Sequence, residues 1–164
     1  MPSVRGGPPG GHGKYGDPSV RRKRSAGPQE DGAVEDGLRW LKDHQDEDGR
    51  WDADAFMKHD TVGEACTGAG NPTHDVGVTG LALLAFLGRG HTLKDGHYRH
   101  VVRKGVRWLV EQQDAAGGRI GEPTSNGSMY SHAIATLAIC EACGLSEHRP
   151  LRPAVQSAVN FIVN

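Results

Sequence analysis

Side chains able to do chemistry gather at the starts of two apolar segments. His74 and Asp75 precede the first, and Tyr130, Ser131 and His132 open the second. Imidazole and carboxylate can move protons or hold a cation, and a phenol can orient a polar ligand. His132 has two readings, a satisfied packing histidine or a pocket residue, and packing is preferred. Cys140 and Cys143 form a CxxC, the spacing of redox and metal pairs. It lies inside an apolar helical run without a second pair, so the cysteines read as small core residues.

The elements that must position these groups are helical. The spacing predicts helices over 33–44, 76–87, 98–113, 129–143 and 153–164. In the first, Val34, Gly37, Leu38 and Leu41 share one face, and in the third, Val101, Val102, Gly105, Val106 and Leu109 do so. In the fifth, Val155, Ala158, Val159 and Ile162 form the apolar stripe, with Pro153 in the first turn. The second and fourth carry almost no charge and are expected to be enclosed on all sides, ending at Gly88/Gly90 and Gly144. No stretch alternates as a half-buried strand would. One-faced helices alternating with enclosed ones predict an all-α, two-layer array of helical hairpins. That alternation brings the starts of the second and fourth helices to one rim. If a ligand binds, His74, Asp75, Tyr130 and His132 are the candidates, with residues 52–73 looping above and an apolar inner face below.

Composition narrows the class. The 164 residues can bury one core, and the formal charge of −1 gives no electrostatic case for nucleic acid or an anionic membrane. Three cysteines give no disulfide framework, so a reducing, cytoplasmic compartment is the simpler expectation. The apolar run at 81–87 is too short to cross a bilayer, and no apolar run follows the early arginines as a signal peptide requires. Residues 1–32 hold eight glycines and five prolines and read as a disordered leader before the repeat domain at 33–164. The basic RRKR at 21–24 reads as a solvated patch within it.

The helices repeat. GLRWLKDHQDEDGRW at 37–51 returns as GVRWLVEQQDAAGGRI at 105–120. Gly37 pairs with Gly105, Trp40 with Trp108, Gln45 with Gln113, and, after one inserted residue, Gly49 with Gly118 and Trp51 with Ile120. A third start at 154–164 echoes 33–43. Self-similarity at this spacing marks a repeat architecture. A glutamine at a helix end can satisfy loose backbone groups, a glycine turns the chain, and an indole packs back over the turn.

This pattern resembles the QW repeat of the squalene/hopene cyclases, shared more loosely with protein prenyltransferase β subunits. Ile120 departs from it, standing where the second tryptophan belongs. The resemblance implies a partial α/α toroid, an open arc with an exposed apolar edge after the fifth helix. It also implies an N-terminal fragment, whose remaining repeats belong to a longer chain. The activity implied is binding or transforming an isoprenoid or other apolar chain. The alternative is a non-catalytic module binding a protein or lipid. Family cyclases protonate an alkene from an Asp-x-Asp-Asp cluster; Asp52-Ala53-Asp54-Ala55 lacks its last aspartate and is expected to be a solvated loop. Family prenyltransferases use zinc held by Asp, Cys and His. His59, Asp60, Cys66, His74, Asp75 and His132 lack that spacing, so no metal and no cofactor is expected.

Overall fold

The computed structural model describes residues 28–61, 63–123 and 127–164. The stretch read as a leader, including the basic 21–24 patch, lies outside these as far as residue 27. Among the described residues five α-helices form: α1 (Pro28–Asp43), α2 (Asp75–Gly88), α3 (Arg99–Glu111), α4 (Ser128–Ser146) and α5 (Arg152–Val163). Short 3-10 turns at Phe56–His59, Pro72–His74 and Arg149–Leu151 sit in the connections. No strand forms among the described residues; a single antiparallel bridge joins Gln113 and Ile120.

The helices build a two-layer open arc, a partial α/α toroid. α2 and α4 lie side by side and parallel as the inner layer, and α3 and α5 pack behind them. Small residues permit the close inner contact. A methyl group on Gly77 would come within 2.9 Å of the Ser131 hydroxyl, and one on Gly80 within 3.1 Å of the Ala135 backbone. Leu83, Phe86 and Leu87 of α2, Val102 and Leu109 of α3, and Ala135, Ala138 and Ile139 of α4 are fully buried between the layers.

Three expectations need correction. α1 begins at Pro28 rather than residue 33. Proline is tolerated in a first helical turn, and Asp31 ties this turn to Arg89, past the end of α2, at 2.6 Å. α4 runs through Gly144 and stops at Glu147, which takes the left-handed conformation (φ 47°). The His148 N–H then reaches back to the Cys143 carbonyl, a Schellman-type closure.

The third correction concerns α2 and α4, which are not enclosed on all sides. Leu81 is 56 % exposed and Leu137 45 %. Each helix is apolar all round because it has two apolar surfaces, one against the outer layer and one facing inward on the arc. The expected stripe of α5 is also only partly covered: Ala158 is buried, Val155 and Val159 are half-buried, and Ile162 is exposed. On α1, Leu38 is buried while Val34, Gly37 and Trp40 are exposed. No helix among the described residues is long and apolar enough to cross a membrane.

Candidate functional site

Two repeat turns hold the arc together, and each uses the same parts. Gln45 Nε2 donates to the carbonyl of Gly49 in its own turn (2.9 Å) and to that of Val101 in the next outer helix (3.0 Å). Gln113 Nε2 does the same to Gly118 (2.9 Å) and Ala154 (2.9 Å). Gly49 and Gly118 have positive φ (110° and 79°) and press against the backbone of the next outer helix at Lys104 and Ser157. The Trp51 indole donates to the Leu41 carbonyl at the end of α1 (2.7 Å). Loss of either glutamine forfeits both bonds at once. Gln45→Ala and Gln113→Ala should each lower stability by about 1–2 kcal/mol in urea unfolding.

The residue closing each turn is caught by the inner layer. Trp51 N–H donates to Thr79 Oγ1 (3.0 Å), and Ile120 N–H to His132 Nδ1 (3.0 Å). His132 Nε2 then faces the Ala158 carbonyl (3.2 Å) and Thr136 Oγ1 (3.4 Å). Nδ1 accepts here, so the ring is neutral with its proton on Nε2. Burial holds the His132 pKa below its ordinary value, against the Ala158 bond that favours protonation, with Arg119 adding to the depression. His132 is therefore the packing histidine preferred from the sequence rather than the rim candidate: it is fully buried in the core and bolts α4 to α5 and to the second turn.

Residues 46–60 form a compact ionic knot rather than a solvated loop. Asp46 meets Lys58 (2.7 Å), His59 (2.6 Å) and Arg50 (3.2 Å). Asp52 is only 6 % exposed; it accepts the Asp54 and Ala55 N–H groups and pairs with Lys58 (3.0 Å) and Arg50 (3.3 Å). Burial alone would raise the Asp52 carboxyl, but the Ala55 N–H, Lys58 and the Asp54 N–H over-compensate and hold it far below the usual carboxylate range. His44 Nε2 lies 3.1 Å from Asp60 Oδ1, with the Trp40 ring stacked on the imidazole. Trp51 anchors this stretch in the core, and the aspartates around it are held by Arg50 and Lys58. The sequence signal was present in Arg50 and Lys58, but their pairing depends on how the loop folds back.

The rim does bring the starts of α2 and α4 together, with a cleft of about 300 Å³ between them. Arg50, Thr73, Asp75, Trp108, Ile120 and Ser131 are among its lining. Thr73 Oγ1 is buried without a hydrogen-bond partner among the described residues. Asp75 accepts the Ala53 N–H (2.9 Å) and lies 3.6 Å from Arg50. Burial pushes its carboxyl up; the Ala53 N–H opposes this, and the Asp52 charge adds to it. Of the other rim candidates, His74 and Tyr130 are exposed, Tyr130 at 76 %. They stand outside the cleft, seven residues before Leu81 and Leu137 respectively, and so head the two exposed apolar rows.

The potential metal ligands do not converge as a mixed set. His59 is spent on Asp46, Asp60 bonds His44 and the Cys66 N–H, and His132 is in the core. Carboxylate oxygens of Asp52, Asp54 and Asp75 do lie within 4.8 Å of one another. Arg50 and Lys58 already balance this group, so it reads as part of the knot. Cys143 Sγ donates to the His148 carbonyl, and burial pushes the Cys140 thiol up, which suits inert packing cysteines.

Residues 19–161 match the family described as Squalene-hopene cyclase C-terminal domain. The match begins within the stretch read as a leader. No curated protein and no solved structure matches the chain.

Proposed function

The chain belongs to the squalene-hopene cyclase C-terminal domain family, and from that premise we propose that α2 and α4 form one wall of a site for an isoprenoid-like or other apolar chain. Its repeats are terpenoid-cyclase-like. The observation that carries the reading is the matched exposure of Leu81 and Leu137 on adjacent inner helices; Glu141, half-buried one turn beyond Leu137, is the charged neighbour on that face. Isolated apolar side chains on a surface need no explanation, but equivalent ones repeated on adjacent helices build a continuous apolar face. Tyr130 and His74 give each row a polar head at the rim, where Asp75 and the cleft could receive a functional group on the ligand. Further repeats of the same kind would complete the wall.

Binding rather than bond making is assigned to this stretch. Asp52, the acid nearest in position to a cyclase cluster, is consumed by two backbone N–H groups and two cations. A carboxylate held ionised in this way cannot donate a proton to an alkene. Asp75 retains the raised pKa of a buried acid, but Arg50 and the Ala53 N–H occupy its oxygens.

The test is titration with a fluorescent farnesyl probe. Leu81→Asp with Leu137→Asp leaves the buried core untouched and is expected to weaken binding about tenfold or more, since each leucine contributes about 1.5 kcal/mol or more when covered. Equal affinity for the parent and the double variant overturns the reading.

A further inference from the structure

On the outer surface, away from the inner wall, a groove of about 540 Å³ runs between α3 and the turn that leads into α5. Its floor is apolar: Leu93, Val106 and Leu151 are each less than one-tenth exposed, and Val110 is half-buried beside them. Its edges are cationic, carrying Lys94, Arg103 and Arg107 against the single acid Glu111. We propose that this groove docks an acidic peptide segment of a partner protein, seating one or two apolar side chains between carboxylates.

Charge distribution carries the argument. In the first repeat two cations are held by buried or half-buried acids: Lys58 by Asp46 and Asp52, and Arg89 by Asp31. Around the groove the cations are not held in this way. Lys94 makes no ion pair among the described residues, and Arg103 spends its Nε–H on the Leu93 carbonyl, which fixes it without neutralising it. Arg107 meets only Glu111, at 3.6 Å between exposed groups, a pair of little net worth. A chain with a formal charge of −1 thus presents a local cationic surface over an apolar floor. That is complementary to carboxylates flanking an apolar anchor.

A single-chain lipid fits less well. The floor residues are mostly buried and the groove is open along its length, so a long alkyl chain would stay largely in water. A peptide needs only its anchor side chains covered.

The experiment uses the full chain and a fluorescein-labelled helical peptide of glutamates and leucines, read by anisotropy. The peptide is expected to bind saturably and to weaken as salt rises from about 50 to about 500 mM. The double variant K94E/R107E should weaken it about tenfold. Both residues are exposed, so the fold is expected to be kept. A peptide with its leucines changed to serine should also lose affinity, which tests the same contact from the ligand side if the protein variant misfolds. The reversal R39E/K42E on α1, whose residues do not line the groove, should leave binding unchanged. Equal binding by parent and K94E/R107E, indifference to the leucines, or binding confined to phosphatidylglycerol vesicles each overturns the proposal.

Discussion

Alanine at Gly49 is expected to unfold the array far more readily than alanine at any neighbouring exposed glycine. Gly49 has φ 110°, and a Cβ there would lie 2.4 Å from the Lys104 carbonyl oxygen. Two penalties combine: a backbone conformation that L-residues rarely adopt, and a clash with a backbone atom that cannot swing aside. The expected loss is about 3 kcal/mol or more. The same clash awaits Gly118→Ala, whose Cβ would meet the Ser157 carbonyl at 2.4 Å. Gly37 is the control. It lies in α1, a methyl there would touch nothing within 4 Å, and Gly37→Ala should stabilise by about 0.5–1 kcal/mol through helix propensity and chain entropy. Urea unfolding of the three variants decides the matter. A Gly49→Ala protein as stable as the parent would show that the turn does not press on α3 as described.

Removal of the His132 ring is expected to have an effect of similar size, with a pH signature that a cavity alone would lack. His132→Ala empties a fully buried site and strands the Ile120 N–H and the Ala158 carbonyl. The expected cost is about 3 kcal/mol at pH near 8. Because burial depresses the folded pKa below the ordinary 6.5, the unfolded chain takes up the proton first as the pH falls. The stabilisation from neutral His132 is complete above pH 6.5 and is lost as the pH drops from there through the depressed folded value. The stability gap between parent and variant should therefore narrow on acidification. A gap that stays constant from about pH 8 to about pH 5 would show that the ring is not held neutral between α4 and α5.

Both predictions concern the joints between repeats. Each repeat binds the next through backbone groups: glutamine to a carbonyl of the following outer helix, glycine against its chain, and an inner-layer hydroxyl or imidazole to the closing N–H. The second repeat has isoleucine in place of tryptophan, and Ile120 is nevertheless fully buried. Without an indole N–H there is no counterpart to the bond from Trp51 to Leu41. The closing N–H is still captured, but by a histidine reaching from the start of α4 rather than by a threonine one turn further along α2.

The linear sequence by itself determined the helices and the repeat, and the resemblance of the repeat's residues pointed to the family. Helices and repeat follow from apolar spacing and from glutamine and glycine at fixed offsets, which act over a few residues and need no knowledge of distant contacts. Thr79 inside an apolar helix was a visible signal that pattern reading passes over, since its partner lies 28 residues away. Residues two positions apart on a helix point about 200° from each other, so Tyr130 and His132 must diverge, but only the tertiary structure decided that His132 is the one turned inward. It alone also decided that Asp52 is buried in an ionic knot, since desolvation and pairing depend on which cations the fold brings within about 3–4 Å. The two apolar surfaces of α2 and α4 belong to the same class. Apolarity all round tells that water is avoided, but not whether a face meets another helix or lines the inside of an arc.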